Sequence, residues 1–451
     1  MRRAFGALLS FCIISAAVPS LAAEFYEDPA TGQIYTRPAE GRNKVELPAS
    51  VGALYQDQET GAVYSKPAEG RAAIETAAPV AAAAEPLKKE EVLAVLPEWM
   101  QKVKFGGDLR LRYQWEDTKG KPGTAQADAP RNRGRVRLRF GADAEVVKSV
   151  KVGLGIATGS DNDPRSTNQT FQDSFAKKQI WLDYAYMTFA PNENFAFTAG
   201  RMKNPLYTAG SDVIWDTDIR PEGAAVALNY DAPLDIKTFF NGAFFVLEEN
   251  KFQNDKSRNA NMFVVQPGLE YKITKDLGLK ASGSYYSYQN IAGNAPLTGR
   301  ASTNTLLGNK YRYDFDAVSA EGELNYKTGF DYIPSVGVFG QYIHNVSSRV
   351  PVGRKNAALY GVKFGYDKVV NAGDWNVRTY ARRIERDAVP SVFPDSDVFS
   401  GDTMAKGMET ELTVGLLKNT NLVVDWIDSR RIAPADQRRQ NILQCDLNYK
   451  F

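Results

Sequence analysis

Four arginines recur at every second position: Arg133, Arg135, Arg137 and Arg139. A strand has a side-chain period of two, so all four guanidiniums lie on one face. The segment before it, 105–116, adds Arg110 and Arg112 on its own polar face. Like charges side by side on a sheet repel one another. In water each such pair costs only about 1 kcal/mol at ~4 Å, so the arrangement is tolerable where water and opposing carboxylates surround it. A water-filled lumen meets that condition and a packed core does not. Two readings stay open: a basic wall that sets the field of a pore, or an arginine face neutralised by nearby acids for structure alone. Acids to oppose it lie in the stretch Lys203–Pro221, which holds Asp212, Asp216 and Asp218 around Trp215, and in Glu222 just beyond.

Catalytic chemistry finds few candidates. The single histidine, His344, stands near a predicted strand end beside Asn345, and alone it supplies neither a nucleophile–base pair nor a metal cluster. Of the two cysteines, Cys12 falls in the leader described below, which leaves Cys445 with no intramolecular disulfide partner. Gly153-Leu154-Gly155 lacks the following glycine of a nucleotide-binding loop. The sequence therefore reads as a non-enzyme with no metal and no cofactor.

The elements that position the arginines are strands. From Phe105 onward the sequence alternates strand-like runs and turns, at 105–116, 133–146, 150–159, 176–190, 194–203, 222–231, 235–248, 262–274, 277–288, 312–328, 333–344, 356–367, 374–386, 405–417, 420–430 and 438–451. That makes about sixteen, an even number, as single-chain bacterial barrels have. Short turns such as 147–149, 191–193 and 274–276 alternate with long polar loops such as 117–132, 160–175, 204–221, 289–311 and 387–404. Short turns at one rim and long loops at the other are the pattern of a transmembrane barrel. Val136, Leu138, Phe140, Ala142 and Ala144 share one face of their strand, opposite the arginines. The final segment does likewise: Leu443, Cys445, Leu447, Tyr449 and Phe451 alternate with Gln444, Asp446, Asn448 and Lys450. The fold class is all-β: a transmembrane antiparallel β-barrel with a short N-terminal periplasmic extension.

That extension divides further. Arg2 and Arg3 precede an apolar run from Ala4 to Val18 that closes on small residues, which reads as a signal peptide over 1–23. Residues 24–86 hold a repeat at a period of 29 and an Ala/Pro linker. Tyr26–Arg42 reads YEDPATGQIYTRPAEGR and Tyr55–Arg71 reads YQDQETGAVYSKPAEGR, each with Thr-Gly between two short Tyr-containing runs, which predicts a small hairpin. A short helix is expected over 87–103, and the barrel over 104–451. The repeat region reads as a flexible leader or as a module that contacts peptidoglycan or another envelope component.

Several of these residues carry a resemblance. The opening segment Phe105–Tyr113, FGGDLRLRY, the stretch Gly200–Pro205 and Arg220-Pro221-Glu222-Gly223 look like the bacterial outer-membrane "putative porin" group. Strand count, loop rhythm and the terminal Phe resemble the sixteen-stranded general diffusion porins over about three quarters of the chain. The resemblance implies an outer-membrane location, a homotrimer, and a third long loop folded into the barrel. There Asp216, Asp218 and Glu222 would face Arg133 to Arg139 across a constriction. It also implies that Tyr449 and Phe451 form the signal read by the barrel-assembly machinery. The chain departs from the enterobacterial members in its constriction-loop sequence and its long extension. The expected function is a water-filled channel for passive diffusion of small hydrophilic solutes and ions, with no nucleic-acid partner. From Lys104 to Phe451 there are 45 basic and 40 acidic residues, a lean toward anions. The alternative is a structural barrel that tethers the envelope through its N-terminal repeats.

Overall fold

The computed structural model describes residues 25–30, 34–35, 41–45, 54–57, 63–64, 69–74, 102–120, 130–160, 163–210, 213–249, 258–299, 302–433, 436 and 438–451. The chain divides into two units, Met1–Leu96 and Pro97–Phe451.

In the first unit each repeat forms a three-stranded antiparallel sheet. Phe25–Glu27 lies between Ile34–Tyr35 and Asn43–Val45, and Leu54–Asp57 lies between Val63–Tyr64 and Arg71–Ile74. Tyr26 stands opposite Tyr35 and Tyr55 opposite Tyr64, so the 29-residue period is a period of structure as well. The hairpin expected from Thr-Gly gains a third strand because the chain turns back at Gly41 and Gly70. Both adopt positive φ, +87° and +86°, where a side chain would be strained. The helix expected over 87–103 lies outside the described residues, except for Lys102 and Val103; the latter opens the first barrel strand.

The second unit is a closed antiparallel barrel of sixteen strands: β1 Val103–Lys119, β2 Arg131–Val147, β3 Val150–Thr158, β4 Ile180–Asn192, β5 Phe195–Arg201, β6 Glu222–Ala232, β7 Ile236–Glu248 and β8 Ala260–Lys272, then β9 Leu277–Gln289, β10 Ala317–Phe330, β11 Ile333–Asn345, β12 Asn356–Gly365, β13 Trp375–Ile384, β14 Ala405–Leu417, β15 Thr420–Arg431 and β16 Arg439–Lys450. Each strand pairs with its sequence neighbours, and β16 pairs with β1 from Arg439↔Lys119 to Lys450↔Asp108, which closes the sheet and removes its edges. All sixteen expected segments are strands. The largest boundary change falls before β10, where Asp314 and Asp316 accept the backbone N–H groups of Ala292 and Tyr288 at 3.0 and 2.9 Å and hold residues 312–316 in a loop. Among the described residues no helix is long and apolar enough to cross a membrane.

Period-two alternation sorts the two faces. On β1, Leu109, Leu111 and Tyr113 are exposed on the outside, whereas Asp108, Arg112 and Gln114 are buried inside. The inner face is not uniformly charged. On β6 to β13 it carries Ala225, Phe245, Met262, Val264, Tyr286, Phe339, Leu359 and Tyr380, all buried. The third long loop, 202–221, folds inward against this half. Its Val213, Ile214 and Trp215 are at most 3 % exposed, and the Trp215 ring packs 5.5 Å from Phe393 of the seventh long loop, 385–404. Burying these rings is worth roughly 1.5–3 kcal/mol each, which makes the loop part of the wall rather than a free segment. Gln266 on β8 clips the backbone of Tyr207, accepting its N–H at 2.8 Å and donating to its carbonyl at 2.9 Å. Glu321 on β10 accepts the N–H of Ala209 at 3.2 Å. At the short-turn end a cavity of about 830 Å³ remains open, lined by Asp231, Lys237, Glu270, Lys280, Glu323 and Asn325 among others.

Candidate functional site

The arginines meet on the opposite half of the inner wall. Register sets Arg133 opposite Gln114, Arg135 opposite Arg112, Arg137 opposite Arg110, and Arg139 opposite Asp108. Six guanidiniums thus occupy four successive rungs of β1 and β2, two of them rungs of like charge. From Arg133 to Arg139 the ladder climbs six residues, roughly 20 Å along the strand.

Carboxylates thread it. On β16, Asp446 lies opposite Arg112 and takes a bidentate pair from it, Nε to Oδ1 at 2.7 Å and Nη2 to Oδ2 at 2.8 Å. It also stands 3.2 Å from Arg110, whose Nε donates to Asn448 at 2.9 Å. Asp108 accepts from both Arg137 and Arg139 at 2.7 Å. Glu116 is 3.5 Å from Arg133. Two loop acids complete the set: Asp218 of the third loop at 3.2 Å from Arg139, and Asp397 of the seventh at 3.5 Å from Arg112.

The expected loop acids separate into different places. Asp218 reaches the ladder and also accepts the Thr167 N–H and hydroxyl at 3.1 and 2.9 Å, which ties the third loop to the second, 159–179. Burial raises its carboxyl, but Arg137 and then Arg139 overcome that and hold it below the ordinary carboxylate range. Asp397 behaves alike: Arg112 and Arg135 outweigh its burial. Asp216 turns instead toward the seventh loop, accepting N–H bonds from Ser396 at 3.1 Å and from Asp218 at 2.8 Å. Burial, then Asp395 and Asp218, push its carboxyl well above the ordinary range. Glu222 does not face the ladder. It opens β6 opposite Arg201, pairs with it at 2.5 Å, and is exposed. Asp212 lies outside the described residues.

The seventh loop was not expected at this site. Arg165 of the second loop holds it by donating to three of its carbonyls, those of Ser391, Pro394 and Ser400, at 3.1, 3.4 and 3.0 Å. Asp395 then reaches Arg382 at 3.0 Å. Asp108 and Asp446 carry no signal of their own in the sequence beyond a place on the polar faces of two strand segments. The clue lay in combining strand period with barrel closure, which brings the last strand beside the first.

Tyr449 and Phe451 lie on the outer face. The Phe451 ring stacks on Phe140 at 6.4 Å and approaches Tyr449 at 6.0 Å. Its backbone exchanges hydrogen bonds with Gly107 at 3.0 and 3.1 Å. A Cβ on Gly107 would come within 2.2 Å of the Arg139 carbonyl oxygen and 2.8 Å of the Phe451 ring, so only glycine fits beneath that ring.

Comparison with known proteins follows the same outline. The profile of a family described as "putative porin" matches residues 114–320 and 309–451. Among solved structures, the high-pH structure of Pseudomonas putida OprB aligns with a TM-score of 0.50 at 10 % identity, covering 77 % of this chain and 94 % of that one. A triple mutant of the Rhodopseudomonas blastica porin aligns with a TM-score of 0.42 at 11 % identity, covering 77 % and 100 %. No curated protein sequence matches the chain.

Proposed function

The chain belongs to the "putative porin" family, and from that premise we propose that it forms a water-filled outer-membrane channel for passive diffusion of small hydrophilic solutes and ions, with anions preferred. The observation that carries this reading is a closed sixteen-strand barrel whose outer face is apolar while six arginines line one inner half. A barrel of this kind satisfies all its backbone groups internally, as lipid demands. The arginine side is partly open to solvent: the side chains of Arg110, Arg133 and Arg139 are 21, 19 and 27 % exposed. These three tips supply the field that favours anions. The chain works as a conduit and not as an enzyme. We further propose a homotrimer, export through a cleaved signal peptide, and delivery by the barrel-assembly machinery.

The test is reconstitution of the purified protein into a planar bilayer, recording conductance and reversal potential under a KCl gradient. Ohmic steps with a reversal potential on the anion side are expected. A folded barrel that passes no current at any voltage rejects the channel and moves attention to the N-terminal repeats as an envelope tether.

A further inference from the structure

The ladder is one carboxylate short. Within 4.0 Å of its six guanidiniums the described residues place five carboxylates: Asp108, Glu116, Asp218, Asp397 and Asp446. Among the described residues none lies within that distance of Arg135. Its Nη1 donates to the Gln114 side-chain oxygen and its Nη2 to the Ser166 hydroxyl, both at 3.2 Å and both to neutral groups. Arg135 is nevertheless buried, 9 % exposed, and it stands directly opposite a second guanidinium, Arg112. Its Nε, and the Nε of Arg133 one rung above, are buried with no hydrogen-bond acceptor.

A buried guanidinium with no carboxylate in contact is unfavourable, and so is a buried donor without an acceptor. Like charges that face each other across a rung repel, the more so where the surroundings are poorly hydrated. A small anion held by both guanidiniums would ease each of these deficits. An oxoanion suits the place because it carries several acceptor oxygens on one charge, and guanidinium N–H groups bind such oxygens in pairs.

We propose that Arg133 and Arg135, with Gln114 and Ser166 alongside, form a binding site for a small oxoanion such as phosphate, sulfate or a carboxylate. This inference rests on the channel reading, since an anion reaches the rung only through the lumen. The ladder then carries one specific stop, where a permeating anion dwells, rather than a uniform basic coat.

Inorganic phosphate is the probe. It is titrated by calorimetry into the full-length protein in detergent, in low-chloride buffer, and added in parallel to bilayers passing KCl current. Saturable binding with a matching partial block is expected for the natural sequence. Arg135→Gln removes the uncompensated charge and should weaken binding at least about tenfold, the scale of one lost charge-assisted hydrogen bond. Ser166→Asp supplies a carboxylate from a loop at the same guanidinium and should weaken it comparably; it stands in should Arg135→Gln fail to fold. Equal affinity in either folded variant and the parent, or no saturable binding in the parent, overturns the site. Binding without any conductance leaves the site standing and rejects the channel; conductance without saturable binding does the reverse.

Discussion

Asp446 is the residue on which most of the ladder leans, since it serves Arg112 bidentately and Arg110 at 3.2 Å. Both partners of the principal pair are deeply buried, with side chains 7 and 3 % exposed. Removing one member of such a pair leaves a naked charge and costs about 3–5 kcal/mol. Asp446→Asn is therefore expected to lower the denaturation midpoint of the folded barrel markedly. Adding Arg112→Gln should recover part of the loss, and a strictly additive double mutant would show that the two do not act as a pair. On the channel reading, selectivity is expected to rest on different residues. Arg137 is tied to Asp108 and little exposed, whereas Arg110 and Arg133 are more open and, unlike Arg139, are not held by a carboxylate at 2.7 Å. Exchanging both for Glu should move the reversal potential toward cations; an unchanged potential would remove these two arginines from any role in the field.

At the level of elements, strands and long loops differ in what their sequences reveal. Each strand is written in a two-residue alternation that the barrel must obey, because lipid lies on one side and the lumen on the other. Hence all sixteen could be placed from sequence. The inward packing of loops 202–221 and 385–404 has no such period. It depends on particular meetings, Trp215 with Phe393 and Arg165 with three carbonyls, between segments far apart in the chain. The six arginines could be named from spacing, but their carboxylate partners on β1 and β16 required knowing the register. Glu222 shows the converse: proximity in sequence to Asp216 and Asp218 placed it with them, while the start of β6 turns it to Arg201.

The junction of the two loops should respond to pH. The Asp216 carboxyl is raised, so the folded junction holds its proton more tightly than the unfolded chain does. Its contribution is complete in acid and is lost as pH rises through the raised value. Asp218 and Asp397 are shifted the other way, and their contributions fade only below about pH 4, the ordinary aspartate range. Between those limits Asp218 and Asp397 stay ionised while the Asp216 carboxyl is the one that loses its proton as pH rises. Amide protection across 393–397, measured by hydrogen exchange and corrected for intrinsic rates, should be greater at pH 5 than at pH 8. Equal protection at both would contradict this.

For the molecule as a whole, the closing seam ends at one narrow place. Gly107 admits the Phe451 ring above it and exchanges backbone hydrogen bonds with that residue. Gly107→Val adds bulk where a single Cβ is already too close, so the variant should yield little of the folded, heat-modifiable form seen on gels run without boiling. Yields like those of the parent would show that the ring can move aside. The seam also has a kinetic meaning. Arg110 and Asn448 touch across it although 338 residues separate them, so their meeting carries nearly the largest loop-closure entropy the barrel can offer. Until β1 finds β16, the sheet has two bare edges, each ready to pair with any stray strand. Zipping that seam is thus expected to be the slow step of folding, and the half-made barrel the species most prone to wrong pairing.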